Sequence, residues 1–280
     1  MKGTQETGAI VSSAAGHSIE FQQVSIRFGS FLAVSDVSLK IDPGEFVCLV
    51  GPSGCGKSTL LNAAAGFLVK RPDDDVITGE VLVNNLRVQK PDVSRGVVFQ
   101  NSGALFPWLT VRQNVAYGPK LKGLRGPALK SLVEQYIELV GLSHAADRYP
   151  WQLSGGMQQR VQLARVLANQ PQVIFMDEPL GALDAQTRAV LQAEIERLWL
   201  ETRCTVMFIT HDLDEALKLA DRVVIMGSGP AAGIKSIYKI DQPRPRDETA
   251  PDYIDLRKRL WADISEEVMK TLKMQKGLVA

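Results

Sequence analysis

The sequence is short of cysteine and of uninterrupted apolar stretches, and each shortage removes a class of protein. Three cysteines stand among 280 residues. Cys48, Cys55 and Cys204 form an odd, scattered set that suggests neither a disulfide framework nor a metal cluster, so a reducing compartment fits best. No apolar run approaches the ~20 residues needed to cross a bilayer, and Met1 to Gly16 lacks the basic flank and apolar core of a signal segment. A role at a membrane would therefore need a partner that spans it. An excess of charge of either sign is missing too: 32 Lys and Arg against 31 Asp and Glu leave a net charge of +1. That balance argues against a surface given over to nucleic acid, and leaves any phosphate chemistry local.

What is present is enough hydrophobic residue, 45% of the chain, to bury a substantial core in one large domain with an inserted subdomain. The first 17 residues are small and polar and read as a loosely held lead. From Ile19 the text turns β-branched and aromatic. Ile19 to Phe28 and Val34 to Ile41 are expected to be antiparallel strands, closed by the turn Asp42, Pro43, Gly44. Phe46 to Val50 is a short unalternating apolar run, and Val97 to Phe99, Val173 to Met176, Val206 to Ile209 and Val223 to Met226 repeat it. Such runs suit strands buried on both faces of a parallel sheet, so the fold class is α/β. Leu129, Leu132, Val133, Tyr136, Ile137 and Val140 keep helical spacing up to Gly141, in a mainly helical insert, and Leu191, Ile195, Leu198 and Trp199 do the same later. After the turn Pro243 to Pro245, Tyr253, Leu256, Leu260, Ile264, Val268 and Leu272 mark a terminal amphipathic helix expected to pack on its own domain. There is no internal repeat.

The sharpest local signal is Gly51, Pro52, Ser53, Gly54, Cys55, Gly56, Lys57, Ser58. It satisfies Gly, four residues, Gly, Lys, Ser or Thr, between an expected strand and an expected helix. Glycines let successive backbone N–H groups turn toward phosphates, and the helix adds the positive end of its dipole. Lys57 is expected on the β and γ phosphates, the Ser58 hydroxyl on Mg²⁺, and Thr59 on a further phosphate oxygen. An ordinary Gly-rich turn with an exposed lysine is the bland alternative. The loop alone does not separate a kinase, a GTPase, a motor and a transporter.

Val173 to Met176 runs into Asp177 and Glu178, placing two carboxylates where an α/β sheet carries its ligand, with the phosphate loop expected one strand away. Asp177 would hold Mg²⁺ and Glu178 would orient or deprotonate the attacking water. Alternatively the acids begin a loop at Pro179 or cap the next helix. Leu153, Ser154, Gly155, Gly156, Met157 precede another helical pattern, whose exposed N–H groups suit a second anion. Taken alone, Ser-Gly-Gly also reads as a plain turn.

In order and spacing, the phosphate loop, Leu153 to Met157, Asp177 with Glu178, Ala182-Leu183-Asp184 and Thr210-His211-Asp212 resemble the ATP-binding cassette (ABC) family over about Ile19 to Met226. The resemblance implies a P-loop NTPase core with an antiparallel β subdomain and a helical subdomain at about 101–168. The ATPase domain would occupy 18–241 and a helical extension 242–280. It implies Phe28 stacking on adenine, and Gln100 linking the γ phosphate and Mg²⁺ site to the helical subdomain, the bland alternatives being an ordinary sheet residue at Phe28 and an edge polar group at Gln100. It implies His211 sensing the γ phosphate, and Asp184 crossing a dimer junction while capping the helix that begins at Ala185. Glu178, His211, Gln100 and Lys57 would be catalytic. The family signature most often ends in Gln where this chain has Met157.

The same resemblance implies a head-to-tail pair in which Ser154, Gly155 and Gly156 of one copy close on ATP held by the other. Phe106-Pro107-Trp108-Leu109-Thr110 and Trp151-Gln152 are similar to the nitrate, sulfonate and taurine importer ATPases. That likeness implies uptake of a small anion through permease subunits, an extracytoplasmic solute-binding protein, and a place on the cytoplasmic face of the cell membrane. An exposed aromatic of the insert would receive a permease helix, unless Trp108 packs in the core. Rival readings are a cassette ATPase acting on DNA or ribosomes, an exporter or lipid-transport ATPase, and a metabolite kinase. The DNA-repair type would carry a long coiled-coil insertion, the ribosomal type two cassettes in one chain, and a kinase no Ser154 signature.

Overall fold

The computed structural model describes residues 16–68, 76–100 and 104–275. Ten strands and seven α-helices are assigned among them. The chain opens with β1 (Ile19–Phe28) and β2 (Phe31–Ile41), then β3 (Phe46–Val50), α1 (Lys57–Ala65), β4 (Ile77–Val83), β5 (Leu86–Arg87) and β6 (Arg95–Val98). Next come α2 (Val111–Leu121), α3 (Gly126–Leu139), α4 (Gly155–Leu167), β7 (Val173–Asp177), α5 (Ala185–Thr202) and β8 (Thr205–Ile209). The last elements are α6 (Leu213–Leu219), β9 (Arg222–Met226), β10 (Ile234–Lys239) and α7 (Pro251–Gln275).

β1 and β2 form a hairpin that joins β4 and β5 in an antiparallel sheet of order β2-β1-β4-β5. The second sheet has the order β10-β9-β3-β8-β7-β6, parallel except at β10. Its central strands are apolar without alternation because both faces are covered. Successive side chains nonetheless point to opposite sides. Phe46, Cys48 and Val50 enter a core shared with α4, α5 and α6, whereas Val47 and Leu49 enter one shared with α1 and the antiparallel sheet. Phe46 is fully buried, edge-on to Trp199 at 5.9 Å between ring centroids; truncation to Ala at such a site costs about 3–5 kcal/mol.

Several sequence expectations shift on contact with the structure. β3 and β7 are not neighbours: β8 lies between them, paired parallel to both. A late strand thus inserts between two earlier ones, which strand order in sequence does not disclose. β6 starts at Arg95, not Val97, because Arg95 and Gly96 pair with Val173 and Ile174. Gly96 has a packing reason as well, since a Cβ there would fall 2.5 Å from Val166. β2 begins at Phe31, where the two-residue turn Gly29-Ser30 closes the hairpin. The expected loose lead reaches to residue 17, yet Gly16 is buried, its N–H donating to the Arg203 carbonyl at 3.3 Å. Residues 1–15 lie outside the described residues. The three cysteines are buried free thiols.

The insert between β6 and β7 is helical. Thr110 caps α2 through a reciprocal pair with Gln113, and buried Asn114 ties the preceding turn by bonds to Phe106, Leu109 and Thr110. At the other end of the chain, α7 lays Tyr253, Leu256 and Leu260 on the domain core.

Candidate functional site

All the candidate residues in the parallel sheet lie at the C-terminal ends of its strands, where backbone groups and side chains emerge from the buried core. The loop between β3 and α1 carries glycines in left-handed backbone: φ is 81° at Gly54 and 94° at Gly56. Gly56 also has no room for a side chain, since a Cβ would sit 2.4 Å from Val34 Cγ2. Gly56 stands at the N-cap of α1 and no side chain caps the helix, so its first N–H groups remain free for an anion. Lys57 is buried, and its ammonium donates to the carbonyls of Gly51 at 2.8 Å and Pro52 at 2.9 Å. The loop thus holds its own lysine across its mouth. The Cys55 thiol packs beside it, and burial pushes that thiol up, making it unreactive.

At the end of β7, Asp177 is hydrogen-bonded with the Ser58 hydroxyl. Burial raises Asp177 above the ordinary carboxylate range, the Ser58 bond and the Lys57 charge pull it down, and Glu178 pushes it further up. A half-buried carboxylate beside a hydroxyl, with its ionised form disfavoured, is the oxygen pair that a hard divalent cation would satisfy. Ser58 and Asp177 therefore fit Mg²⁺. Among the described residues no cluster of three or more His, Cys, Asp or Glu forms a metal cage.

Glu178 has φ of 46°, unusual for a residue with a side chain. Three contacts hold it there. Its N–H donates to Ile209 O at 3.0 Å, and its carbonyl accepts from Gly181 N at 3.2 Å and from the buried Gln159 amide at 3.1 Å. Its carboxylate accepts from Gln100 Nε2 at 2.9 Å and lies 3.4 Å from His211 Nδ1. Such locally costly backbone, over-determined by its surroundings, is common at reactive positions. Gln100, Glu178 and His211 are thus one cluster, drawn from the ends of β6, β7 and β8.

Ser154, Gly155, Gly156 and Asp184 stand elsewhere. With Met157, Arg160, Ala182, Leu183 and Thr187 they line an open depression that no phosphate-loop residue lines. Ser154 caps α4, its hydroxyl accepting from Met157 N at 3.3 Å, and Asp184 caps α5, accepting from Thr187 N at 2.9 Å. A Cβ on Gly156 would be 3.1 Å from Leu183, so the two segments abut. Met157 packs its side chain partly into the core. Phe28 is exposed at the tip of the β1–β2 hairpin, whose β2 side touches the phosphate loop through Val34.

Three residues of the site carried no signal in the sequence. Gln159 reads as one more polar residue of an amphipathic helix. Arg188 donates to Leu183 O at 3.0 Å and lies 3.5 Å from Asp212, linking the turn before α5 to the turn after His211. Glu215 is buried behind His211, raised by that burial and bonded to Thr210 and Gln192. Only their partners distant in sequence reveal them.

In the helical insert, Phe106 stacks with Tyr117 at 4.6 Å and Trp108 at 5.6 Å between centroids, beneath the Arg165 guanidinium. Trp108 is 69% exposed and Trp151, stacked on Tyr149, is 72% exposed. Core packing of Trp108 is thereby excluded.

Against known proteins, residues 34–181 match the family model described as ABC transporter. The chain is 44% identical to a taurine import ATP-binding protein of a Jannaschia species, over 90% of this chain and 92% of the relative. It is 46% identical to a nitrate import ATP-binding protein of Synechococcus elongatus, over 82% of this chain and 83% of the relative. Among solved structures it resembles an ATP-binding cassette, dimeric and in a post-hydrolysis state bound to ADP and Pi. That likeness has 31% identity and a TM-score of 0.68, and covers 79% of this chain and 98% of the other.

Proposed function

Because the chain belongs to the ABC transporter family and is an ATP-binding, ATP-hydrolysing subunit of the importer type, we propose that it energises uptake of a small anion, of the nitrate, sulfonate or taurine kind. It acts as a pair of copies beneath transmembrane permease subunits. The observation that carries the reading is the meeting of Gln100, Glu178 and His211 next to Asp177, which is bonded to Ser58 of the phosphate loop, with Ser154 and Asp184 lining a separate depression. On this reading a single chain holds half of each of two sites, and Ser154, Gly155 and Gly156 serve ATP bound to a second copy.

On this reading the first N–H groups of α1 cradle the phosphates, and Lys57 leaves the carbonyls of Gly51 and Pro52 for the β and γ oxygens. Exchanging neutral acceptors for anionic ones favours the bound state. Ser58 and Asp177 hold Mg²⁺, which, when bound, offsets charge on the β and γ phosphates. Phe28 stacks on the base. Glu178, fixed by Gln100 and His211, orients a water and takes its proton as the water oxygen attacks the γ phosphorus. The bond to the ADP oxygen then breaks and phosphate leaves. ATP favours the closed pair and loss of phosphate releases it, so the affinity difference between two conformations drives the partners.

On this reading the path lies in the permease subunits; no helix among the described residues is long and apolar enough to cross a membrane. Attachment at the cytoplasmic face of the membrane is through those subunits, and the exposed Trp108 is the contact offered to them. A solute-binding protein delivers the anion from outside. The test is ATPase activity of the chain assembled in lipid with its permease partners and binding protein. Stimulation by nitrate, a sulfonate or taurine is expected. Full basal ATPase with none of these anions stimulating would overturn the solute class while keeping the ATPase.

A further inference from the structure

α7 lies outside the region matched by the family model, yet it carries one of the few buried acids among the described residues. Glu267 is 3% exposed. Its Oε2 accepts from the backbone N–H of Ser228 at 2.8 Å, while its Oε1 pairs with Lys270 at 2.8 Å and Lys235 at 3.1 Å. Burial alone would raise this carboxyl, but the bonds from Lys270, Lys235 and Ser228 outweigh it and hold the group down at about 2. Glu267 is thus an anion at every physiological pH, clamped on one backbone amide.

Ser228 belongs to the turn 227–233 between β9 and β10, and that turn is tied to β2. Ala231, at φ of 59°, donates to Leu32 O at 2.7 Å, and Ser35 donates to Ala232 O at 3.2 Å. Val34 and Ala232 form a parallel bridge. Leu32 to Ser35 follows Phe31 at the start of β2, directly after the hairpin tip that carries Phe28 and Phe31. The same stretch presents Val34 against Gly56, leaving no space for a Cβ. On the other side, Met226 at the end of β9 abuts Gly51 within 3.0 Å of an added Cβ. The two ends of the phosphate loop therefore rest on the two segments joined to the turn that Glu267 grips, Gly51 on Met226 just before it and Gly56 on Val34 of β2, which is bridged to Ala232.

We infer that Glu267 is a positioning residue for nucleotide binding: its clamp on the Ser228 amide sets the turn 227–233, which sets β2 against the phosphate loop and the base-stacking hairpin tip. The inference rests on the ATPase reading above. The clamp acts through the hairpin tip at Phe28 and the loop backbone at Gly51 and Gly56, which serve the base and the phosphates common to ATP and ADP, so its loss lowers affinity for both and leaves the chemical step, carried by Glu178, untouched. By reciprocity, bound nucleotide must tighten the docking of α7 by the factor that docked α7 tightens nucleotide.

The experiment uses the full chain, with dissociation constants for ATP and ADP measured by titration calorimetry, together with kcat and Tm. Glu267→Ala is expected to weaken both nucleotides by about fivefold or more, with kcat at saturating ATP within about twofold of wild type. Glu267→Gln, whose carbonyl still accepts from Ser228, restores affinity. Lys235→Ala breaks the ion pairs on the β10 side but spares the Ser228 bond, so it lowers Tm with affinity retained. Unchanged affinity in Glu267→Ala, or an equal loss in Lys235→Ala, overturns the inference. Should Glu267→Ala not fold, hydrogen exchange on the wild-type chain decides. ATP must slow exchange in residues 260–275, and equal rates with and without ATP overturn the coupling. A wild-type chain that binds no ATP would instead overturn the ATPase reading.

Discussion

The Gln100 side chain donates from Nε2 to Oε2 of Glu178 at 2.9 Å, so the amide that leads into the helical insert holds the carboxylate that ends β7. With His211 3.4 Å away on the β8 side, Glu178 is restrained from both neighbours of its strand.

Glu178→Gln should bind ATP with near wild-type affinity and lose about 10²–10⁴-fold in kcat, the range for removal of a general base. The amide keeps the contact to Gln100 but cannot accept a proton. Light scattering of the ATP-bound variant should report a stable pair of chains. Turnover at the wild-type rate would remove Glu178 from the reaction.

Gln100→Ala removes a hydrogen bond to a charged group, worth about 1.5–3 kcal/mol, so kcat should fall about 10- to 100-fold with the ATP dissociation constant little changed. The loss should not add to that of Glu178→Gln, because the two act as one unit. Additive losses in the double variant would show that Gln100 acts elsewhere.

Lys57→Met strips the donor from two loop carbonyls, at 2.8 and 2.9 Å, and from the phosphates. We expect ATP affinity to fall by about 100-fold, as for two charge-assisted bonds. Calorimetry without nucleotide should show a lowered Tm. Retained affinity would mean that the helix N-terminus alone holds the phosphates.

Asp177 gives a prediction in pH. Its folded-state affinity for protons is raised, first by burial, so its ionised form disfavours the fold at neutral pH. That penalty disappears as pH falls below the ordinary aspartate value. Asp177→Asn should therefore raise the Tm of the nucleotide-free chain by a few degrees at pH 7, with the gain vanishing toward about pH 4. It should abolish Mg²⁺-dependent hydrolysis. A Tm gain that stays constant with pH would reject the charge as its cause.

What the sequence discloses and what it hides divide along a physical line. The phosphate loop was legible because its demands are local: glycines at set spacings, a lysine, a hydroxyl, and a strand and helix on either side. Buried strands were legible from apolar runs, though the start of β6 was not, since Arg95 and Gly96 extend only because β7 pairs with them. Asp184 was legible twice over, as a helix cap and as a motif member, and Ser154 once, as a motif member before a helix start.

The sequence by itself determined the α/β class, the nucleotide loop and the acids at the end of β7, because each follows from backbone preferences and charge within a few residues. Only the tertiary structure decided that β8 separates β3 from β7 and that Gln100, Glu178 and His211 meet. It alone brought Gln159 to the Glu178 carbonyl and Glu267 to the Ser228 amide. Each of these is a contact between residues far apart in the chain. A polar side chain has the same local propensity whether its partner is water or a buried amide, so the partner, and with it the role, exists only once the chain has folded.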